Sequence, residues 1–80
     1  MTVTVRLFAV MAQHARTGQV ALELPAGATV GEVRRELLRR DGQLPWPGGT
    51  MWAVNQEYAG EDAVLNDGDE VAIIPPVSGG

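Results

Sequence analysis

Thr29-Val30-Gly31-Glu32-Val33-Arg34-Arg35-Glu36-Leu37-Leu38-Arg39-Arg40 is the stretch on which the fold turns. Thr29 followed three residues later by Glu32 is the pattern of a capping box, in which each side chain satisfies an amide that the first helical turn leaves without a partner. Val30, Val33, Leu37 and Leu38 fall on one stripe of the helix so begun. Glu36 precedes Arg39 and Arg40 by three and four residues, a pairing worth a few tenths of a kcal/mol. Arginines in the last turn also suit the helix dipole. Asp41-Gly42 ends the helix, and the Arg34, Arg35, Arg39 and Arg40 cluster reads as its solvated face rather than as an anion site. A helix with one apolar stripe needs covering on one side only.

The cover comes from the flanking segments. Thr2 to Phe8 alternates, with Val3, Val5 and Leu7 on one face and Thr2, Thr4, Arg6 and Phe8 on the other, the period of a half-buried strand. Residues 9–17 are compatible with a short helix ending at Gly18. Gln19 to Leu24 is a second strand, with Val20, Leu22 and Leu24 on one face, closed by Pro25-Ala26-Gly27. After the main helix, Gln43-Leu44-Pro45-Trp46-Pro47-Gly48-Gly49 is too rich in Pro and Gly for regular structure, and Trp46 reads as the pin that fastens this loop to the core. Met51 to Val54 is a third strand, Asn55-Gln56 its turn, and Tyr58-Ala59 a very short fourth. Asn66-Asp67-Gly68-Asp69 is a strong turn signal before the last strand, Glu70 to Ile74. The order β-β-α-β-β-β, with one long helix in the middle, predicts a small α+β domain: a mixed sheet packed on one main helix.

Composition excludes several function classes. Eighty residues suit one domain with a modest core, and 45% hydrophobic with 20% charged residues is globular composition. No apolar run approaches a membrane span, and no basic stretch plus apolar region follows Met1, so the expected compartment is the cytoplasm, with no membrane partner. Cysteine and lysine are both absent. The chain therefore has no thiol nucleophile and no side-chain amine for Schiff-base chemistry or conjugation. The single histidine, His14, has no carboxylate near it in sequence, so no metal site is expected. The net charge of −4 is unevenly spread: residues 1–40 carry all six arginines and three glutamates, whereas residues 41–80 carry seven carboxylates and no basic residue. An acidic second half disfavours nucleic acid and favours protein partners with basic docking surfaces.

Motifs for autonomous chemistry are missing. Gly27-Ala28-Thr29-Val30-Gly31 lacks the remainder of a nucleotide-binding loop. Ser78 and His14 are the only members of a would-be nucleophile triad, and nothing in the sequence brings them together. Asp67 and Asp69 sit in a turn where carboxylates bond the backbone. What remains is the ending, Pro75-Pro76-Val77-Ser78-Gly79-Gly80. The two prolines stiffen the exit from the last strand. The five residues from Pro76 onward span roughly 16 Å when extended. Gly79 and Gly80 add no side chain, so a terminal carboxylate so carried fits a narrow channel. A carboxylate is a poor electrophile until another protein activates it, for example as an acyl-adenylate. Sulfide can then replace oxygen to leave a thiocarboxylate, anionic at neutral pH and nucleophilic in that form.

Val54-Asn55-Gln56, Asp67-Gly68-Asp69-Glu70-Val71-Ala72 and Pro75-Pro76-Val77-Ser78-Gly79-Gly80, with Leu7-Phe8-Ala9 near the start, resemble the small, sulfur-carrier subunit of molybdopterin synthase. The resemblance implies a ubiquitin-like β-grasp fold, with a domain over residues 1–75 and a flexible Gly-Gly tail over 76–80. It implies that a ubiquitin-activating-type enzyme uses ATP to adenylate Gly80, which then becomes a thiocarboxylate, while the carrier itself binds no cofactor and is not catalytic alone. It further implies that Pro76, Val77, Ser78 and Gly79 insert into the large synthase subunit, within a heterotetramer, where sulfur passes to cyclic pyranopterin monophosphate for molybdenum cofactor synthesis. Many members carry an Arg-Glu pair where this chain has Ala12-Gln13, which puts any role of that pair in doubt here. Relatives with the same implied fold donate sulfur to thiazole or to tRNA, or act as ubiquitin-like modifiers, and these are the alternative functions.

Strand alternation adds an interface. With Val5 and Leu7 facing the core, Phe8 points outward; with Val71 and Ile73 facing the core, Ile74 does too. The implied fold sets these strands side by side. Phe8, Ile74 and Tyr58 then form an exposed apolar patch at the root of the tail, a docking surface for the partner.

Overall fold

In a computed structural model the structure is described for residues 1–76. The elements run β1 (Thr2–Arg6), α1 (Ala9–Ala15), β2 (Gln19–Glu23), α2 (Val30–Arg40), β3 (Met51–Val54), β4 (Glu57–Ala59) and β5 (Glu70–Ile74). The five strands form one mixed sheet in the order β2-β1-β5-β3-β4. Among the described residues only β1 and β5 pair in parallel, with Val5 opposite Val71, so the first and last of these strands meet at the centre of the sheet.

Period-two alternation decides what each strand buries. Val3, Val5, Leu22, Trp52, Val71 and Ile73 turn to one face, where they join Val30, Val33 and Leu37 of α2 and Met11 of α1 in a single core. Leu38 is only half-buried against that core, at the margin of the helical stripe. The α+β architecture expected from the sequence is the one found, including the short helix after β1.

Three local details differ from the sequence reading. Thr29 is the N-cap of α2, but neither half of the expected capping box forms. Instead a crossing segment supplies backbone acceptors: the Val30 amide donates to the Ala63 carbonyl at 3.0 Å and the Gly31 amide to the Glu61 carbonyl at 2.8 Å. Glu32, released from capping, pairs with Arg35 at 3.3 Å. A β-carbon on Gly31 would lie 3.4 Å from the Glu61 carbonyl oxygen, at the near edge of ordinary contact, so the segment passes close over this position. Second, α1 ends at Ala15 and not at Gly18. Arg16 takes the left-handed cap at φ 59°, its amide donating to the Ala12 carbonyl. Third, β1 and β2 end at Arg6 and Glu23, each one or two residues earlier than the alternation runs. Leu7 and Leu24 still reach the core, and their amides donate to the carbonyls of Gly18 and Met1.

The loop before β3 is fastened by tryptophans. Trp46 packs against Trp52 with ring centroids 5.3 Å apart, and Arg34 lies over the Trp46 ring at 5.5 Å. Trp46 thus pins the loop on the core as its sequence position suggests.

Candidate functional site: the outer sheet face and the root of the tail

The face of the sheet opposite the helices is built by the alternate residues of the same strands. Register places Arg6 beside Ala72, Ala72 beside Ala53, and Ala53 beside Tyr58, in one row across four strands. The next row toward the end of β5 pairs Ile74 with Met51. Leu7 is buried and Phe8 has extended backbone, so Phe8 continues the alternation of β1 onto the outer face, two residues beyond Arg6 as Ile74 is two beyond Ala72. The Arg6 guanidinium lies 5.9 Å from the centroid of the Phe8 ring, which places both side chains on that face.

The result is a shallow apolar surface with two alanines as its floor. Phe8 is 41% exposed, Met51 50% and Tyr58 73%, while Ile74 is half-buried between Phe8 and Met51 in the row. Small side chains at Ala53 and Ala72 leave Tyr58 standing above its neighbours. No loop among the described residues covers these side chains. Sequence reading found Phe8, Tyr58 and Ile74 but missed Met51. The signal was present: Trp52 faces the core, so its neighbour Met51 must face outward, opposite Ile74.

The tail leaves this surface at its apolar end. Pro75 is half-buried and Pro76 exposed, directly after Ile74. Val77, Ser78, Gly79 and Gly80, the remaining residues named from the sequence, lie outside the described residues.

Several polar groups elsewhere are occupied structurally. Asp69 Oδ2 accepts the Asn66 amide at 2.8 Å, as turn carboxylates do, whereas Asp67 Oδ1 reaches across to accept the Thr2 amide of β1 at 2.8 Å. Arg34, Arg35, Arg39 and Arg40 each have a carboxylate partner, so the basic helix face is a set of surface ion pairs. Hydrogen bonds from Arg39, and secondarily from Arg40, hold the Glu36 carboxyl at about 2, against the opposing effect of its partial desolvation. His14, without a carboxylate nearby in sequence, has one in space: its Nε2 lies 2.7 Å from Asp41 Oδ2. The Asp41 carboxyl is lowered mainly by the Gln43 amide and then by His14. This pair ties the end of α1 to the end of α2. No group of three metal-ligating side chains occurs among the described residues. No helix there is long and apolar enough to cross a membrane.

A five-stranded mixed sheet closed over one main helix, with its first and last strands parallel at the centre, is the ubiquitin-like β-grasp architecture. The chain belongs to the ThiS family, whose model matches residues 5–80. It is 36% identical to the molybdopterin synthase sulfur carrier subunit of Chlamydomonas reinhardtii, over 100% of both chains. Among solved structures, SAMP1 from Haloferax volcanii aligns with a TM-score of 0.86 at 27% identity, covering 100% of each chain. A chain in the protein–protein complex of subunits 1 and 2 of molybdopterin-converting factor from Helicobacter pylori aligns at 0.71 and 27% identity, again over 100% of both.

Proposed function

We propose that this protein is the sulfur carrier of a molybdopterin synthase. Full-length similarity to relatives bearing that name carries the reading, and it is supported by the Pro-Pro-Val-Ser-Gly-Gly ending and the exposed apolar face at its root. The domain of residues 1–75 is the handle and residues 76–80 are the arm. An adenylating enzyme of the ubiquitin-activating type joins the Gly80 carboxylate to the α-phosphate of ATP and releases pyrophosphate. A sulfide-level sulfur nucleophile then attacks the acyl carbon, the bond to the phosphate oxygen breaks, AMP leaves, and a thiocarboxylate remains. Phe8, Met51, Tyr58 and Ile74 dock on the large synthase subunit, so that Pro76, Val77, Ser78 and Gly79 enter its active site. There the thiocarboxylate attacks cyclic pyranopterin monophosphate, and hydrolysis of the acyl link restores the Gly80 carboxylate. A heterotetramer, with two carriers flanking a dimer of large subunits, supplies both sulfurs of the dithiolene.

Reconstitution tests this. Thiocarboxylated protein mixed with a large subunit should convert the pterin precursor, and protein lacking Gly80 should not. Conversion by the Gly80-deleted protein would refute the role.

The similarity to SAMP1, a small archaeal modifier protein, favours a second reading in which the same activated terminus is joined to lysines of other proteins. Mass spectrometry of protein from cells separates the two. Sulfur replacing oxygen at the terminus supports the carrier, and isopeptide-linked targets support the modifier.

A further inference from the structure

The ladder between β3 and β5 ends at Met51 opposite Ile74, but the two chains do not part there. Continuing the same antiparallel register sets Thr50 against Pro75 and Gly49 against Pro76. Proline has no N–H to extend the ladder, and packing takes over. A β-carbon built on Gly49 would stand 3.6 Å from Cβ and 3.8 Å from Cγ of Pro76, ordinary van der Waals distances, so a methyl group would just touch the proline ring and a longer side chain would run into it.

Gly49 is also held in place from behind. Thr50 Oγ1 and the Thr50 amide both donate to the Pro47 carbonyl, at 2.5 and 3.3 Å. Leu44 is buried, and Trp46 is packed on Trp52. Gly49 itself has φ +84°, a conformation that glycine adopts without strain. The second of two stiff prolines thus faces a braced, side-chain-free backbone at the point where the arm leaves the domain.

We propose that Gly49 is a positioning residue for the C-terminal arm: the absence of a side chain there leaves Pro76 its path along the continued β3–β5 register, and that path sets the direction in which the arm is presented to a partner's active site. The proposal rests on the carrier reading for its consequence, but not for the juxtaposition of Gly49 and Pro76. A side chain larger than a methyl group at position 49 would lever Pro76 away and turn the arm without touching the domain's core.

Gly27 provides the matched control, because it has the same φ of +84° with nothing within 4 Å of its built β-carbon. Gly49→Leu and Gly27→Leu should therefore lose similar stability. Both should bind the large subunit with unchanged Kd, while only Gly49→Leu should lose turnover at saturation, on the order of tenfold to a hundredfold. Gly49→Leu combined with Pro76→Ala should recover part of that loss. Equal turnover of the two leucine variants would overturn the proposal, as would weakened binding in place of slowed turnover, which would make Gly49 a docking residue. Residual dipolar couplings of amides 77–79 in the isolated protein read the arm's direction without any partner. They should change in Gly49→Leu and not in Gly27→Leu, and an unchanged direction overturns the proposal. If the wild-type protein fails to convert the precursor, the carrier reading fails, and the couplings still decide the role of Gly49.

Discussion

Asn55 engages both backbone groups of Glu70. The Asn55 amide donates to the Glu70 carbonyl at 2.8 Å, and the Glu70 amide donates to Asn55 Oδ1 at 3.0 Å. Asn55 Nδ2 also donates to Asp69 Oδ1 at 3.0 Å. The side chain thereby extends the β3–β5 pairing past the point where the backbone turns away, with Asn55 at φ 50° and Gln56 at φ 72°. Asparagine tolerates that left-handed conformation better than most residues. Asn55→Ala removes two hydrogen bonds and leaves alanine in a disfavoured region. Urea unfolding should show a loss of about 1–3 kcal/mol. A midpoint equal to wild type would show that the clasp contributes nothing.

Arg16 holds the left-handed cap of α1 at φ 59° with a side chain that makes the conformation costly. Arg16→Gly keeps the cap and its hydrogen bond while removing that cost. Thermal unfolding should report a gain of about 1 kcal/mol, net of the added freedom of the unfolded chain. A lowered melting temperature would mean that the arginine side chain has contacts worth more than the strain.

On the outer face, Phe8→Ala, Met51→Ala, Tyr58→Ala and Ile74→Ala should each leave the protein folded. Calorimetric titration with a large synthase subunit should show weaker binding, with central residues costing about 2 kcal/mol or more. Ile74 lies between Phe8 and Met51 in its row and should be among the largest effects. Wild-type affinity across all four variants would place the interface elsewhere.

Acid should weaken the fold through Glu36 and Asp41. Arg39 and Arg40 lower the Glu36 carboxyl from 4.5 to about 2 in the folded chain, and Asp41 is also lowered. A depressed folded-state value favours the fold when the group is ionised in both states. The contribution of Glu36 is therefore complete above pH 4.5 and disappears as pH falls toward 2. Glu36→Gln should reduce stability at neutral pH, with the deficit shrinking through that window and in high salt, since these pairs are exposed. A deficit constant with pH would assign the effect to helix propensity and not to charge.

Much of the fold was legible in local patterns. Alternation at Val3, Val5, Val71 and Ile73 named the buried sheet face, and the 30, 33, 37 spacing named the helix stripe, because side-chain direction repeats with the backbone period. The turns at Asn55-Gln56 and Asn66-Asp67-Gly68-Asp69 announced themselves by residue type. The terminal Pro-Pro-Val-Ser-Gly-Gly and the absence of cysteine and lysine directed attention to the tail. Phe8 and Ile74 followed from alternation, once resemblance had set β1 beside β5, whereas Tyr58 was added to them without an alternation argument.

What local pattern does not carry is which distant backbone arrives at a given spot. Thr29 and Glu32 promise a capping box, yet the carbonyls of Glu61 and Ala63 reach the helix amides and take that role. His14 and Asp41 are 27 residues apart and meet only because both helices end at the same corner. Gly49 and Pro76 are likewise distant in sequence, and they face each other because the Met51–Ile74 register carries the two chains onward together. Periodicity is a property of neighbouring residues and fixes which face each element buries. Register and loop closure depend on every element packing at once, so the partners of a helix end and of the tail's root are decided in three dimensions.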